Sequence, residues 1–495
     1  MKQFLYNKKL LFIFELANNH NGSKKNAFKL IDDAKSISQF SNIEFGFKLQ
    51  FRDLKTFLHK NAKQTNNKHV KRFLDTKLEK KDYIEICKYI KKNKFKLIIT
   101  PFDETSVDFA MKCKVDILKI ASCSNNDWYL IEKIAAQKKP VIASTGGIDF
   151  DEIDNLSNFF EKRNIPLSIL HCVSIYPTID SKSFNLNVIR RMIKRYPKNL
   201  IGYSGHEEEN NYLPTICSTA IGAKIIERHF SNLDVRNGYS IGKDKLKVLL
   251  SNLNQTIEIM GSSDKIITDK EKLSIQELQR GLFAKTKLYK KNKKFNDKLY
   301  LAFPKMHKDQ LSSSDLSREI NLSHDIGKDQ YLTGTAKDSM RYFIRKYVHR
   351  YKFMLNEAGI TPGEDCSAEL SHHYGFQNID KFGAFLITVI NGIYCKKLVC
   401  LLKNQYHPKH KHYKKIETFH VLFGHLILKK ENLTYDLYPG DKINVLNNEW
   451  HEFTSDTGCI FEEISTESLK KDSEYFDKKI QNFDYIFRKT SVNLN

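Results

Sequence analysis

Two histidines, His206 and His229, each lie near the end of an apolar segment with the composition of a β-strand. The segments span residues 201–207 and 224–230. Imidazole is a common ligand of divalent metals, and two such groups at neighbouring strand ends could hold one ion. A single histidine at a strand end is more often a hydrogen-bonded core group than a metal ligand. The pair therefore predicts a metal site if the two strands end side by side.

Two lysines interrupt other apolar segments, Lys48 in 43–50 and Lys119 in 117–122. A buried ammonium group is unfavourable unless it meets an anion. The hydroxyls of Thr100 and Ser122 could help the two lysines to hold a phosphate and a carboxylate. The alternative is that the lysines face outward. With the two histidines, this set favours a metal-assisted reaction of a phosphorylated acid.

Eight short apolar runs alternate with stretches of helical spacing in the first half of the chain. They are residues 11–17, 43–50, 96–102, 117–122, 140–146, 167–174, 200–205 and 224–230. This order predicts an α/β fold, a (β/α)8 TIM barrel with its active site at the carboxyl ends of the strands. A doubly wound sheet is the rival fold, but no glycine-rich phosphate turn follows the first run.

The rest of the chain divides into four further parts by its composition and by the spacing of its apolar residues. We predict a TIM barrel over 1–262, a connector over 263–335, a helical linker over 336–365, an all-β domain over 366–472 and a frayed tail over 473–495. The all-β prediction depends on short apolar runs at close spacing after residue 366. The helix prediction depends on residues 337–359, which end at a glycine followed by Pro362.

Composition limits the class of protein. The net charge is +23, but the excess lysine is scattered and no zinc-finger or RRM pattern is present, so we predict no nucleic-acid partner. The nine cysteines are dispersed without a CxxC pair, which is typical of reduced thiols in the cytoplasm. Glu15 interrupts the first apolar run, and no apolar stretch reaches about 18 residues, so we predict no signal peptide and no membrane span.

The polar motifs at the predicted strand ends resemble the sialic acid synthase family over roughly residues 10–245. The matching segments are Asn18–Ser23, Lys48–Gln50, Thr100–Asp103, Lys119–Ser122, Ser144–Gly146, His171–Pro177, Gly202–Glu207 and Glu227–Phe230. They follow barrel order. The resemblance implies condensation of phosphoenolpyruvate with an open-chain N-acetylated amino sugar, which gives a nine-carbon 2-keto acid and phosphate.

The resemblance also implies a role for each matching residue. Lys48, Thr100, Lys119 and Ser122 would bind phosphoenolpyruvate, and Ser204 and Glu227 would line the same pocket. His206 and His229 would hold Mn²⁺ or Mg²⁺. Gln50, Ser174 and Tyr176 would face the sugar, with Glu15 and Asn21 near metal and substrate. Glu15, Lys48, Lys119, His206 and His229 are the expected catalytic groups, and a homodimer is expected from the resemblance alone.

The sequence departs from the family pattern in the loop after Phe230, residues 231–241, which lacks the Asp-His pair usual in neuraminate synthases. The acceptor sugar is therefore open between N-acetylmannosamine, a di-N-acetylated bacillosamine-derived hexose and a pseudaminic-type altrose. Arg280–Ala284 resembles the entry to the antifreeze-like (SAF) domain with which the family often ends. The connector is accordingly a possible divergent SAF-like subdomain.

A second set of metal-competent residues lies in the all-β domain. His410, His412, Glu417, Gly424, Gly440 and His451 have the spacing of both halves of the cupin signature. His410 and His412 share one face of a strand because they are two residues apart. With Glu417 and His451 they would form a second divalent metal site. A metal-free cupin that holds a sugar passively is the alternative.

Segments 369–375 and 407–420 further resemble the D-lyxose isomerase type of cupin, which makes Glu369, His372, His373 and Lys415 candidate pocket residues. Three functions therefore stay open. The first is a cytoplasmic nonulosonic acid synthase with an accessory cupin, and the second is a cupin-centred sugar isomerase with a regulatory barrel. The third is a non-catalytic carbohydrate-binding protein.

Overall fold

The computed structural model describes residues 9–231, 237–291, 295–466, 468–469 and 472–493. The chain forms two compact units, which meet in the sequence between Lys265 and Ile266. The first contains a closed parallel barrel of eight strands in sequential order. The predicted TIM barrel is confirmed, and each of the eight apolar runs contains one strand.

The barrel strands are buried on both faces, which explains why they read as continuous apolar runs. They are β1 (Leu10–Glu15), β2 (Ile43–Phe51), β3 (Lys96–Pro101), β4 (Ile117–Ile120), β5 (Val141–Ser144), β6 (Leu167–Cys172), β7 (Leu200–Gly205) and β8 (Ile225–His229). Strand β8 pairs with both β7 and β1, which closes the barrel.

Helices follow or connect the strands and cover the barrel. They are α1 (Lys24–Ile37), α2 (Leu54–Phe57), α3 (Lys68–Asp75), α4 (Lys80–Lys92), α5 (Glu104–Lys112), α6 (Trp128–Ala135), α7 (Phe150–Lys162), α8 (Asn187–Arg195), α9 (Leu213–Ala220) and α10 (Lys243–Met260). In α1 the buried positions Ala27, Leu30, Ile31 and Ala34 recur every three or four residues, as an amphipathic helix requires.

Strand register brings the polar residues of different strands to one end of the barrel. Glu15 is aligned with Lys48 on one side and with His229 on the other. Ser204 is aligned with Glu227. Side chains two apart on a strand share a face, so Glu227 and His229 lie on the same face of β8, as do Lys48 and Gln50 on β2.

The second unit begins with helix α11 (Asp269–Glu277) and two small antiparallel sheets. These pair β9 (Gly281–Ala284) with β10 (Leu299–Ala302), and β11 (Glu319–Leu322) with β12 (Gly334–Lys337). They share a core of buried residues that includes Leu282, Leu288, Phe295, Ile326 and Leu332. The predicted connector is thus a small β-structure with its own core, and its SAF-like character stays a prediction.

The all-β region consists of two antiparallel sheets. Its strands are β13 (Ser367–Ser371), β14 (Ala384–Asn391), β15 (Tyr394–Leu401), β16 (Tyr406–His412), β17 (Glu417–Gly424), β18 (Leu426–Lys430), β19 (Leu433–Leu437), β20 (Lys442–Val445), β21 (His451–Thr454), β22 (Cys459–Thr466), β23 (Ser473–Tyr475) and β24 (Lys489–Val492). Their orders are β20-β17-β22-β15-β14-β13-β24 and β19-β18-β21-β16-β23. Buried side chains of both sheets share one core cluster.

Two predicted parts differ in the structure. Residues 336–365 were predicted as a helical linker; the helix is present as α12 (Met340–Glu357), and it packs Tyr347, Tyr351 and Leu355 into the core beneath the larger sheet. The tail after residue 472 was predicted to be frayed, yet β23 pairs with β16 and β24 pairs with β13, with helix α13 (Lys478–Gln481) between them. The docking of the helix and the order of the tail both depend on tertiary contacts that a local pattern does not reveal.

The side chain of Gln405 joins three segments of the second unit and is fully buried. Its Oε1 accepts hydrogen bonds from the Tyr351 hydroxyl and the Leu402 amide, each at 2.7 Å, and its Nε2 donates to the Ile379 carbonyl at 2.8 Å. Replacement by leucine leaves three buried polar groups without a partner.

We expect Gln405→Leu to lower the free energy of unfolding of this unit by about 3 kcal/mol or more, because each orphaned group costs roughly 1–3 kcal/mol. Tyr351→Phe, the matched control, leaves Gln405 bonded to Leu402 and Ile379 and should cost only about 1 kcal/mol. Chemical denaturation followed by fluorescence measures both. Equal losses in the two variants would contradict this ranking.

The nine cysteines, all within the described residues, are free thiols. Among the described residues, no helix combines the length and the apolar composition needed to cross a membrane.

Candidate functional site

A cluster of two lysines and two glutamates fills the carboxyl end of the barrel. The Lys48 ammonium lies 2.6 Å from Glu227 Oε1 and 2.9 Å from Glu15 Oε2. The Lys119 ammonium lies 3.1 Å from Glu227 Oε2 and donates to Ser144 Oγ at 2.7 Å. All four charged groups are buried. The strand lysines therefore face inward, as the functional hypothesis requires.

Burial and pairing act in opposite directions on these charges. Burial lowers the pKa of Lys48 to about 7, although the carboxylate of Glu227 favours its charged form. Burial also disfavours the ionised form of Glu227, but Lys119 and Lys48 hold its pKa well below the usual range. With carboxylates at 2.6 and 2.9 Å, we treat Lys48 as an ammonium group. The free site thus holds two cations and two anions.

Hydroxyl groups complete the cluster. Ser204 donates to Glu227 Oε1 at 3.1 Å. Within the described residues, Thr100 Oγ1 is buried without a hydrogen-bond partner. Thr100 is aligned with Gln50 on the neighbouring strand β2. A buried hydroxyl without a partner is suited to a polar ligand, because its own desolvation is otherwise uncompensated.

Ser122, Ser174 and Gly146 form a close-packed corner at the ends of β4, β5 and β6. The Gly146 amide donates to Ser122 Oγ at 3.2 Å. A Cβ atom on Gly146 would lie 2.1 Å from Ser174 Oγ and 2.8 Å from Ser122 Oγ. Only glycine therefore allows the two serine hydroxyls to lie so near the backbone.

The two barrel histidines are neighbours, with ring centroids 5.3 Å apart. His206 Nδ1 lies 3.1 Å from the Val173 carbonyl oxygen, which can only accept, so Nδ1 carries the proton and Nε2 keeps its lone pair. Within the described residues, His229 Nδ1 is buried without a hydrogen-bond partner. Burial, and then repulsion from His206, lower the pKa of His229 well below its usual range. Two adjacent imidazoles with nitrogens available fit a shared divalent ion.

Two neighbours of the predicted site, Tyr239 and Arg52, were not identified from the sequence. The ring of Tyr239 lies 4.9 Å from His229 and 5.9 Å from His206, and Tyr176 lies 4.2 Å from His206. Tyr239 belongs to the loop that departs from the family pattern, of which residues 232–236 lie outside the described residues. Arg52 donates to Gln50 Oε1 at 2.9 Å. In the sequence, only the position of Arg52 four residues after Lys48 could have indicated that it lies near the site.

The remaining predicted residues differ in their placement. Gln50 joins the cluster because it donates to Glu15 Oε1 at 2.7 Å. Asn21 is exposed in a turn with a φ of 47°, and within the described residues no hydrogen bond links it to the charged cluster. Thus the structure brings together the predicted residues except Asn21.

A second cluster lies in the all-β region, on strands β16, β17 and β21. Potential ligand atoms of His410, His412 and His451 all lie within 4.8 Å of one another, and the three side chains are buried. His410 Nδ1 lies 2.9 Å from the Pro408 carbonyl and His451 Nδ1 lies 3.1 Å from the Glu449 carbonyl. Both Nε2 atoms therefore keep lone pairs.

Glu417 lies against these imidazoles without a hydrogen bond to them. Its Oε2 is 3.4 Å from His451 Nε2, and within the described residues neither atom has a hydrogen-bond partner. Burial lowers the pKa of His451 to about 4 and raises that of Glu417 to about 7. Two acceptor atoms that face each other repel unless a cation, a metal or a proton, lies between them. The donor set of three imidazoles and a carboxylate fits a divalent metal.

Lys415 extends this cluster, whereas most of the other pocket candidates lie elsewhere. The Lys415 ammonium contacts Glu417 and lies 2.8 Å from Glu463 Oε1. His373 reaches the cluster through His407, with ring centroids at 4.4 Å and then 4.6 Å to His410. The two remaining candidates contact strand β24: Glu369 pairs with Lys489, and a ring nitrogen of His372 lies 2.9 Å from the Thr490 hydroxyl oxygen.

Comparison with known proteins agrees with the barrel geometry. The NeuB family model matches residues 46–265. The chain is 27% identical to human N-acetylneuraminate-9-phosphate synthase over 56% of this chain and 78% of that protein. It is 28% identical to N,N'-diacetyllegionaminic acid synthase of Campylobacter jejuni over 57% of this chain and 87% of that protein.

A solved structure extends this similarity to the fold. The crystal structure provisionally assigned as spore coat polysaccharide biosynthesis protein E from Chromobacterium violaceum is 35% identical. The alignment covers 66% of this chain and 98% of that chain, with a TM-score of 0.62. With its eight-stranded barrel and the polar cluster at the strand ends, the chain belongs to the NeuB family of sialic acid synthases.

Proposed function

We propose that the barrel condenses phosphoenolpyruvate with an N-acetylated amino sugar to give a nonulosonic acid and phosphate, in the biosynthesis of surface glycans. The observation that carries this proposal is the pair of buried lysines, Lys48 and Lys119, beside the two histidines at the same strand ends. A trianionic substrate needs such cations. The names of the related synthases support the product class, and the proposal extends to an N-acetylated amino sugar as the acceptor.

Phosphoenolpyruvate would bind beside the carboxylates, at the N–H groups of the two lysines that Glu15 and Glu227 do not use. Lys48 and Lys119 would bind its phosphate and carboxylate, with Thr100 and Ser122 as hydroxyl donors. Because Glu227 bridges both ammonium groups, it fixes their separation and prevents their mutual repulsion in the free enzyme. Ser204 holds Glu227 in this position.

The acceptor sugar would lie over His206 and His229, between Tyr176 and the Glu15–Gln50 pair, with Ser174 and Asn21 at the rim. The histidines would hold Mn²⁺ or Mg²⁺, an ion that polarises a carbonyl oxygen. The C2=C3 double bond of the enol opens as C3 bonds to the aldehyde carbon, whose oxygen takes up a proton and becomes a hydroxyl. Water adds at C2 and loses a proton, and cleavage of the C2–O bond releases phosphate. Glu15, which contacts Lys48 and Gln50, would accept the proton from that water.

The test is phosphate release from phosphoenolpyruvate with a panel of N-acetylated hexoses and Mn²⁺. We expect release that requires a sugar, yields a 2-keto acid in equal amount, and stops when EDTA removes the metal and returns with Mn²⁺. Release without sugar, or none with any sugar, would contradict the proposal. A cytoplasmic location and a homodimer stay predictions, which fractionation and light scattering would measure.

A second function is supported by the arrangement of Glu417 and His451 as facing acceptors. We propose a second divalent metal at His410, His412, Glu417 and His451, in a cupin whose pocket includes Lys415. Such a site could exchange aldose and ketose forms of a sugar, because an ion that bridges two sugar oxygens and a base that moves a proton are the required parts.

Metal analysis of the purified protein tests this second site. We expect about two divalent ions per chain, and loss of one in His451→Ala, because removal of one of the four proposed ligands should weaken ion binding by more than the roughly 10–100-fold that loss of a residue supporting a ligand costs. His425→Ala is the control, since His425 is bound to Asp436 and Asp456 at the surface. An unchanged metal content in His451→Ala would exclude the site.

A further inference from the structure

A buried ion pair lies on the outer face of the barrel, directly behind the two histidines. The Arg228 guanidinium donates to Glu207 Oε1 at 2.6 Å and to the Glu207 carbonyl at 3.1 Å. Both side chains are fully buried. Glu207 follows His206 in the sequence and Arg228 precedes His229, so each partner is covalently adjacent to one histidine.

The Glu207 carboxylate accepts two further hydrogen bonds. Thr215 of α9 donates to Oε1 at 2.6 Å, and the Tyr203 hydroxyl donates to Oε2 at 3.0 Å. A Cβ atom on Gly205 would lie 2.1 Å from Glu207 Oε2, so the carboxylate folds back across a position that only glycine allows. The carboxylate thus has a single, fully satisfied arrangement.

The backbone at His206 needs such an anchor because it lies beyond the end of the β7 ladder. Strand β7 ends at Gly205, and past it His206 is held by the Thr178 amide, which donates to the His206 carbonyl at 2.9 Å. His229 is still within β8 and is aligned with Glu15. The ion pair between Glu207 and Arg228 therefore connects the segment just after β7, which carries His206, to the end of β8, which carries His229.

Buried ion pairs contribute little net stability compared with apolar side chains of similar size, and their best-attested use is to fix a register. We propose that the Arg228–Glu207 pair sets the separation of His206 and His229 and thereby the affinity of the barrel for a divalent ion. This proposal rests on the proposed function, in which the two histidines hold the ion. Arg228 and Glu207 act here as positioning residues, because neither touches the reacting atoms.

The experiment uses the full chain in a His451→Ala background, so that only the barrel site is titrated with Mn²⁺. The test variants are Glu207→Gln and the double variant Glu207→Gln/Arg228→Met, which leaves no unpaired charge and should fold. Thr215→Val is the matched control, because it removes the hydrogen bonds of Thr215 to Glu207 and to Arg228 but keeps the ion pair itself. Thermal denaturation reports on folding in each case.

We expect both test variants to bind Mn²⁺ at least about tenfold more weakly, as loss of supporting interactions around metal ligands usually does. Phosphoenolpyruvate binding should change less than Mn²⁺ binding does, since within the described residues neither Glu207 nor Arg228 forms an ion pair with Lys48 or Lys119. Thr215→Val should lower the melting temperature by several degrees, about the effect of two hydrogen bonds, and keep the Mn²⁺ affinity of the background protein. A folded double variant with unchanged Mn²⁺ affinity would overturn the proposal.

A second readout needs no metal. The crystal structure of the metal-free double variant should show the His206 and His229 rings displaced by about 1 Å or more relative to each other, a shift large enough to impair a site. Unchanged ring positions would overturn the positioning role even if metal binding could not be measured. If His206→Ala leaves Mn²⁺ binding in the background protein intact, the proposed metal function fails instead, and the ring positions alone decide the role of the ion pair.

Discussion

The Lys119→Met protein should release phosphate from phosphoenolpyruvate with a kcat/KM at least about 10³-fold below that of the wild type, at the upper end of the effect of removing one preorganised donor. Lys119 is 1% exposed and bridges Glu227 and Ser144. Methionine keeps most of its length and removes the charge. The site then has one ammonium group instead of two to bind the substrate. The carboxylate of Glu227 remains, and one cation fewer offsets its repulsion of the anionic substrate.

Lys96→Met is the matched control, because Lys96 begins β3 at the opposite end of the barrel and pairs with Glu44 in a partly exposed position. Exposed pairs contribute roughly 0–1 kcal/mol, so this variant should keep full activity. Circular dichroism and thermal denaturation separate loss of function from loss of folding, and isothermal titration measures phosphoenolpyruvate binding directly. A folded Lys119→Met protein with near-normal turnover would exclude the assigned role.

The barrel could be predicted from the sequence because its strands are buried on both faces. Each strand reads as an apolar run, and a lysine or glutamate inside such a run must face the lumen or the helices. Lys48 and Lys119 were identified in this way and Glu227 through the family resemblance, and the structure places all three in one cluster. The pairing partners of the lysines could not be predicted, since they depend on register between strands that are distant in the sequence.

Residues from loops and from the outer barrel face were not identified. Tyr239 is an aromatic residue in a loop without a periodic pattern, and only the folded chain brings its ring to His229. Arg228 and Glu207 are charged residues at strand ends, where exposure is the usual expectation. Helix α9 covers this face and supplies Thr215, so tertiary packing buries the pair.

In the second unit, spacing predicted the histidine cluster but local pattern failed for the final segments. His410 and His412 are two apart on β16, and His451 is aligned with His410 on the paired strand β21. Strands β23 and β24 are short and polar, so they resemble a disordered tail until their backbone groups meet β16 and β13. These two strands are ordered because each one pairs with the edge of a sheet.

The His229→Ala protein should bind phosphoenolpyruvate nearly as the wild type does, and yet lose sugar-dependent phosphate release by at least about 10²-fold. The lysine cluster does not depend on the imidazole, because Lys48 and Lys119 are held by Glu15, Glu227 and Ser144. The imidazole contacts instead His206 and Tyr239 on the proposed sugar side. The variant should also lose Mn²⁺ affinity at the barrel.

His59→Ala is the control for this variant, since His59 is an exposed histidine of the loop region after β2. Binding of phosphoenolpyruvate is measured by titration, turnover by phosphate release, and Mn²⁺ affinity by electron paramagnetic resonance. Loss of phosphoenolpyruvate binding in His229→Ala would show that the two halves of the site are one cooperative unit, which contradicts the assignment. Retained binding with lost turnover, set beside lost binding in Lys119→Met, would separate an anion half at the lysines from a sugar half at the histidines.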